Sequence, residues 1–138
     1  MKRMLLICIC AISLASCSNN SIEELKSNSG AKTIFIVNEN YQMVYRRVYE
    51  ATKKCFSGGG LPIIGSQMRV DGQLFSDLGF GEITMFMDDM QINYFSMVRI
   101  ERNGNASKIH VYVSNAFFNP KTAITFFESA SKQERRDC

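Results

Sequence analysis

The sequence predicts an α+β domain: an antiparallel sheet with two amphipathic helices packed on one of its faces, in the order strand, helix, several strands, helix. Three observations predict it. Two segments, Tyr41 to Phe56 and Pro120 to Ala130, carry apolar residues at helical spacing. The runs around them are short, β-branched and aromatic. Asp71-Gly72 and Asn103-Gly104 are both two-residue hairpin signals set between apolar segments.

The first element is Thr33 to Val37, a β-branched and aromatic run of strand character. Asn38 or Asn40 can then cap a helix. From Tyr41 to Phe56, the residues Tyr41, Val44, Tyr45, Val48, Thr52 and Cys55 form one stripe, while Arg46, Arg47, Glu50, Lys53 and Lys54 fall on the other side. The basic residues lean toward the C-terminus, where they complement the helix dipole, and Gly58-Gly59-Gly60 ends the helix. That glycine run is no phosphate loop, because such loops follow a strand and open a helix, whereas this one follows a helix and leads to Leu61-Pro62. Strands are expected near Gln67 to Val70, Gln73 to Ser76, Gly81 to Met87, Tyr94 to Arg102 and Ser107 to Ser114, none of which contains proline. Asn119-Pro120 then places a capping residue before a proline at the first helical position. Pro120, Ala123, Ile124, Phe127 and Ala130 make the stripe of the second helix, and the chain turns polar from Ser131 to Cys138. The layout loosely resembles, in architecture, the helix-grip domains of small envelope-assembly lipoproteins such as BamC.

Ahead of the domain stands a leader with Lys2 and Arg3 as a positive start, an apolar run from Met4 to Leu14, and the small residues Ala15 and Ser16. Its eleven apolar-run residues are too few for a membrane span, which takes about 20. The leader closes on Leu14-Ala15-Ser16-Cys17, which resembles the lipobox of bacterial lipoproteins, in which a peptidase cleaves before the cysteine after its sulfur has been acylated. The resemblance implies that residues 1–16 are a removed signal peptide. It also implies that Cys17 carries diacylglycerol and an N-acyl chain, palmitate among these fatty acids, with no other cofactor. One acyl chain binds a membrane only marginally, so the family's three chains are what makes such an anchor stable. By the same resemblance, Ser18 rather than Asp after the cysteine implies sorting to the outer membrane, with the domain facing the periplasm or the cell surface.

Cleavage leaves 122 of the 138 residues, a length for one domain with a single core. Residues 17–32 are polar and read as an acylated cysteine with a flexible tether, and residues 33–138 as the globular domain. Fifteen such tether residues span roughly 20 Å as a random coil. Without Lys2 and Arg3 the 16 basic residues fall to 14, against 13 acidic ones. That balance lacks the clustered positive charge that nucleic acid would require. With Cys8 and Cys10 in the leader and Cys17 acylated, the domain keeps Cys55 and Cys138, which in an oxidising compartment read as a disulfide. Closing a loop of about 84 residues would stabilise the fold by up to about 4 to 5 kcal/mol in the chain-entropy model. The alternative is a free, buried Cys55 with a mobile Cys138.

Catalytic material is sparse. The one histidine, His110, lies on a predicted strand with Lys108 and Tyr112, opposite Ile109, Val111 and Val113, and no Gly-x-Ser-x-Gly turn exists. Glu82, Asp88 and Asp89 could supply a carboxylate pair, although adjacent Asp88 and Asp89 read better as a solvated turn. Met85-Phe86-Met87-Asp88-Asp89-Met90 has a Met-x-Met-x-x-Met spacing, and thioethers suit Cu(I), so Met85, Met87 and Met90 are candidate ligands; the competing reading is methionine filling core space. A tight Asn103-Gly104 hairpin would pair Arg102 with Asn105, setting Met97 opposite His110 and Phe95 opposite Tyr112. Phe95, Met97, His110 and Tyr112 would then form an aromatic and thioether patch on the face away from the helices, unless a segment such as Leu61 to Gly65 covers it. The expected function is that of a non-catalytic, lipid-anchored domain that binds a protein partner or helps assemble a cell-envelope component. A small-ligand or Cu(I)-binding lipoprotein is the alternative.

Overall fold

A computed structural model describes residues 19–58, 67–88, 90–116, 119–134 and 138. The leader with Cys17, the glycines 59 and 60, the segment 61–65 and Asp89 lie outside the described residues. The elements are α1 (Ile22–Ser27), β1 (Ala31–Val37), α2 (Tyr41–Phe56), β2 (Gln67–Phe75), β3 (Phe80–Asp88), β4 (Ile92–Asn103), β5 (Ala106–Val113) and α3 (Pro120–Ser131). The strands form one antiparallel sheet in the order β1-β5-β4-β3-β2, an α+β fold with helices packed against it.

Local chemistry places the two long helices where the sequence puts them. Asn40 Oδ1 accepts the Gln42 N–H at 2.9 Å and Asn119 Oδ1 accepts the Lys121 N–H at 3.1 Å, each satisfying an amide that the helix start leaves open. Tyr41, Val44, Tyr45, Val48 and Thr52 of α2 are buried, and Cys55 packs at the margin of the core. On α3 the stripe is Ala123, Phe126, Phe127 and Ala130; Phe126 belongs to it, edge-on to both Phe127 and Phe56. These side chains meet Ile83, Val98, Ile100, Ile109, Val111 and Val113, which alternate along their strands as a half-buried sheet requires.

Cys55 is joined to Cys138, with Cα atoms 5.3 Å apart and a sequence separation of 83. The bond ties the last residue of the chain to the last turn of α2.

Two turns differ from the expected ones. Asp71-Gly72 is no hairpin: β2 runs through it without interruption, with Asp71 opposite Thr84 and Gly72 opposite Ile83. The glycine answers a packing need instead. A Cβ on Gly72 would stand 2.6 Å from the Tyr49 ring and one on Gly81 would stand 2.4 Å from the Tyr45 ring, so both glycines let the stacked tyrosines of α2 rest on the sheet backbone. The chain turns at Ser76 to Gly79, where the Gly79 N–H reaches the Phe75 carbonyl. At the other hairpin the loop residues are Gly104 and Asn105, with Asn103 paired to Ala106. Gly104 alone of the two has a positive φ, +61°, as a type II′ turn needs at its first central position, whereas type I′ needs it at both. The register therefore moves by two residues, which sets Met97 opposite Tyr112 and Arg99 opposite His110.

The expected flexible tether over residues 17–32 is also corrected, from Asn19 onward. Ser21-Ile22-Glu23-Glu24 is a capping-box pattern: Ser21 Oγ accepts the Glu24 N–H at 3.1 Å, and Glu24 Oε2 accepts the Asn20 N–H at 2.8 Å. The resulting α1 lies against β4 and β5 with Leu25 fully buried. Asn19 is fixed as well, its carbonyl accepting the Tyr94 N–H and its side chain donating to Ser114 Oγ, both at 2.9 Å.

Replacing Gly81 by Val drives two methyl groups into Tyr45 and lowers stability by about 2 to 3 kcal/mol in urea denaturation; an unchanged midpoint would contradict the packing described. Cys138→Ser lowers the melting temperature only under oxidising conditions, at a cost of about 2 to 4 kcal/mol, and the difference from the parent vanishes when both are reduced.

Candidate functional site

Strand alternation sends Glu82, Arg99, Glu101 and His110 to the sheet face away from α2 and α3, and the shifted register brings them together across β3, β4 and β5. Arg99 is the centre. Its Nη1 donates to Glu82 Oε1 at 2.8 Å, its Nε donates to Glu101 Oε1 at 2.6 Å, and its guanidinium lies 3.8 Å from the centroid of the Phe80 ring. His110 Nε2 stands 3.4 Å from Glu101 Oε2, within ion-pair reach but outside hydrogen-bond geometry, and that buried nitrogen has no hydrogen-bond partner among the described residues. Beside the cluster, an open depression of about 340 Å³ is lined by Leu78, Phe80, Arg99, Glu101 and Arg102. The Arg102 guanidinium lies 5.1 Å from the Tyr41 ring centroid, which joins this end of the outer face to the start of α2.

Partial burial pulls the Glu101 carboxyl toward neutrality, but the hydrogen bond from Arg99 and the charges of His110 and Arg99 outweigh it and hold the group below the ordinary carboxylate range. Burial likewise works against the Arg99 cation, and the bonds to Glu101 and Glu82 override it, so its proton is held more tightly than usual. The cluster thus presents fixed charges that largely neutralise one another. Glu101, kept ionised, accepts hydrogen bonds rather than donating a proton at neutral pH. Such an arrangement suits recognition of polar groups on a partner.

The residues named from sequence are distributed otherwise. Phe95 does not share a face with Met97: Met85 pairs with Ser96 and Phe86 with Tyr94, so Phe95 is the extra residue of a β-bulge and packs on the helix side with Met68, Met85 and Phe56. Tyr94 stands for the same reason on the outer face, with its ring 5.7 Å from that of Phe86. Met97 is on the outer face but fully buried where α1 lies against β4. His110 and Tyr112 are half-buried neighbours on β5. The four do not form an exposed patch, because the bulge removes one and α1 covers another. Met85 and Met87 share the helix side of β3 in an apolar cluster completed by Met68, which is opposite Met87. Met90 stands outside that cluster at 99% exposure, so the three sulfurs of the spacing motif are not gathered into one site. Glu82 pairs with Arg99 and Asp88 with Arg69 at 3.0 Å, so these carboxylates serve separate cations. Sequence reasoning passed over Arg99 and Glu101, whose spacing of two on a strand puts them on one face; their meeting with His110 depends on the turn.

No protein-family model matches the chain, and none of the curated proteins compared with it matches either.

Because the Glu101 pKa is lower in the folded state than in the unfolded chain, its contribution is complete above about pH 4.5 and is lost as pH falls through the folded value. The denaturation midpoint is expected to fall between pH 6 and pH 3, and to fall less in Glu101→Gln. That variant also loses about 0.5 to 1 kcal/mol at pH 6, allowing for solvent screening of a partly exposed pair. Parallel acid limbs for parent and variant would remove Glu101 from the network.

Proposed function

We propose that the chain is a lipoprotein of the bacterial cell envelope: cleaved before Cys17, acylated there, and carrying a non-catalytic domain that binds or helps assemble another envelope component. The observation that carries this reading is the Cys55–Cys138 bond. A disulfide that staples a small domain is a feature of exported proteins, and here it accompanies a cationic and apolar leader that ends in a lipobox-like Leu14-Ala15-Ser16-Cys17. Each supports the other, since export is what makes the bond durable. Ser18 favours the outer membrane as the destination.

A binding role is supported by the outer sheet face. Ile34 and Ile36 of β1 are exposed there, Ile34 opposite His110 and Ile36 opposite Lys108, so an apolar pair adjoins the charged cluster. Apolar side chains rimmed by charge are the composition of many protein-binding surfaces. Ile34 and Ile36 also lie on a strand that forms the edge of the sheet among the described residues, where main-chain groups can pair with a partner.

Growth of an expressing bacterium with an alkyne-bearing fatty acid should label the protein, and Cys17→Ala should abolish the label and leave the leader attached. A mature chain that starts at Met1, or one lacking acyl mass on Cys17, would overturn the reading. For the surface, Ile34→Asp with Ile36→Asp should reduce crosslinking of the folded protein to envelope components at least about fivefold, as expected when a central apolar contact is lost. Undiminished crosslinking would reject this face.

A further inference from the structure

Only Ser18 separates the acylation site, Cys17, from Asn19, and Asn19 is pinned to the sheet through the Tyr94 N–H and Ser114 Oγ. At about 3.5 Å per residue, the Cα of Cys17 lies within about 7 Å of that of Asn19, against the roughly 20 Å a free tether would allow. The headgroup layer on each side of a bilayer is itself about 5 to 8 Å deep. An anchor this short leaves the domain no room to float clear of the surface, and it selects which end of the sheet faces the lipid.

That end is the one where β3 finishes and β4 begins. Tyr94, which holds Asn19, is two residues past Ile92 and four past Met90, so their Cα atoms lie within about 7 and 14 Å of the pinning point. Met90 is 99% exposed and Ile92 42% exposed, two large apolar side chains offered to solvent at the end where the lipid must be. The last turn of α2, with the exposed Lys53 and Lys54, finishes at the same end, since the Gly58 N–H donates to the Met68 carbonyl near the start of β2. Apolar tips at an end that also carries lysines match the boundary between acyl chains and anionic headgroups.

We infer that the β3–β4 end of the sheet, with Met90 and Ile92 at its tip, rests on and dips into the bilayer that holds the anchor, so that the domain stands in one orientation with its Leu78 end outward. The inference rests on acylation of Cys17. It goes further by fixing the orientation, which a flexible tether would leave free.

The chain contains no tryptophan, so a single introduced one is a clean reporter. Full-length Met90→Trp, Ile92→Trp and Leu78→Trp, processed in a bacterial host, are reconstituted into phosphatidylethanolamine–phosphatidylglycerol vesicles. These contain phospholipid brominated high on the acyl chains. Leu78, 71% exposed, sits in the turn at the opposite end of β3, about 27 Å away at strand spacing, and serves as the control. Brominated lipid should quench Met90→Trp and Ile92→Trp at least about twofold more than Leu78→Trp, as an indole held at the interface requires. Met90 is almost wholly exposed, so its variant also guards against misfolding. Protein that floats with the vesicles and carries acyl mass, yet shows equal or no quenching at the three positions, would overturn the orientation while leaving the anchor intact. Protein without acyl mass that does not float would overturn both.

Discussion

The packing of α2 on the sheet sets most of what surrounds it. Tyr45 and Tyr49 lie stacked, with ring centroids 6.0 Å apart, over the stretch where Gly72 and Gly81 carry no side chain. The close approach this permits brings Val44 and Val48 of the same helix onto Ile83, Val98 and Ile100, and α3 fills the remaining width with Phe126 and Phe127. β2 stays extended through Asp71-Gly72 beneath these rings, and the chain turns later, at Ser76 to Gly79. The disulfide then closes the far end of α2 onto the last residue, so the helix is fixed by packing along its length and by a covalent bond at its end.

The opposite face of the sheet is divided between two uses. Toward one end, α1 covers β4 and β5 and buries Met97. Toward the other, Arg99 shares its cation between Glu82 and Glu101 beside an open depression, with His110 as the neighbour across the strand. Residues 95 to 98 of β4 are buried in succession, which a strand achieves only when both of its faces are covered or when a bulge turns a residue inward; both occur here.

Much of the fold was legible in the residues. The bounds of α2, both asparagine caps, the alternation on β5 and the Cys55–Cys138 pairing follow from local rules that act within a few residues or from simple counting of thiols. The candidate site was legible only in part. Arg99 and Glu101 share a face by strand periodicity alone, yet their meeting with His110 depends on whether the hairpin turns at Asn103-Gly104 or at Gly104-Asn105. Both turns contain Gly104, and a displacement of one residue in the loop moves every cross-strand pair by two.

By itself, the sequence determined the class of the fold, the two helices and their buried stripes, and the cysteines available to pair, because hydrophobic periodicity and capping are encoded in neighbouring residues. The tertiary structure decided the role of Gly72 as a seat for tyrosine, the place of Phe95 on the helix side, and the burial of Asn19 and Leu25. Each of these depends on what a distant element puts against the residue. A glycine reads the same from sequence whether it turns the chain or receives a ring, and a polar stretch reads as a tether until a capping box and one buried leucine bind it to a sheet.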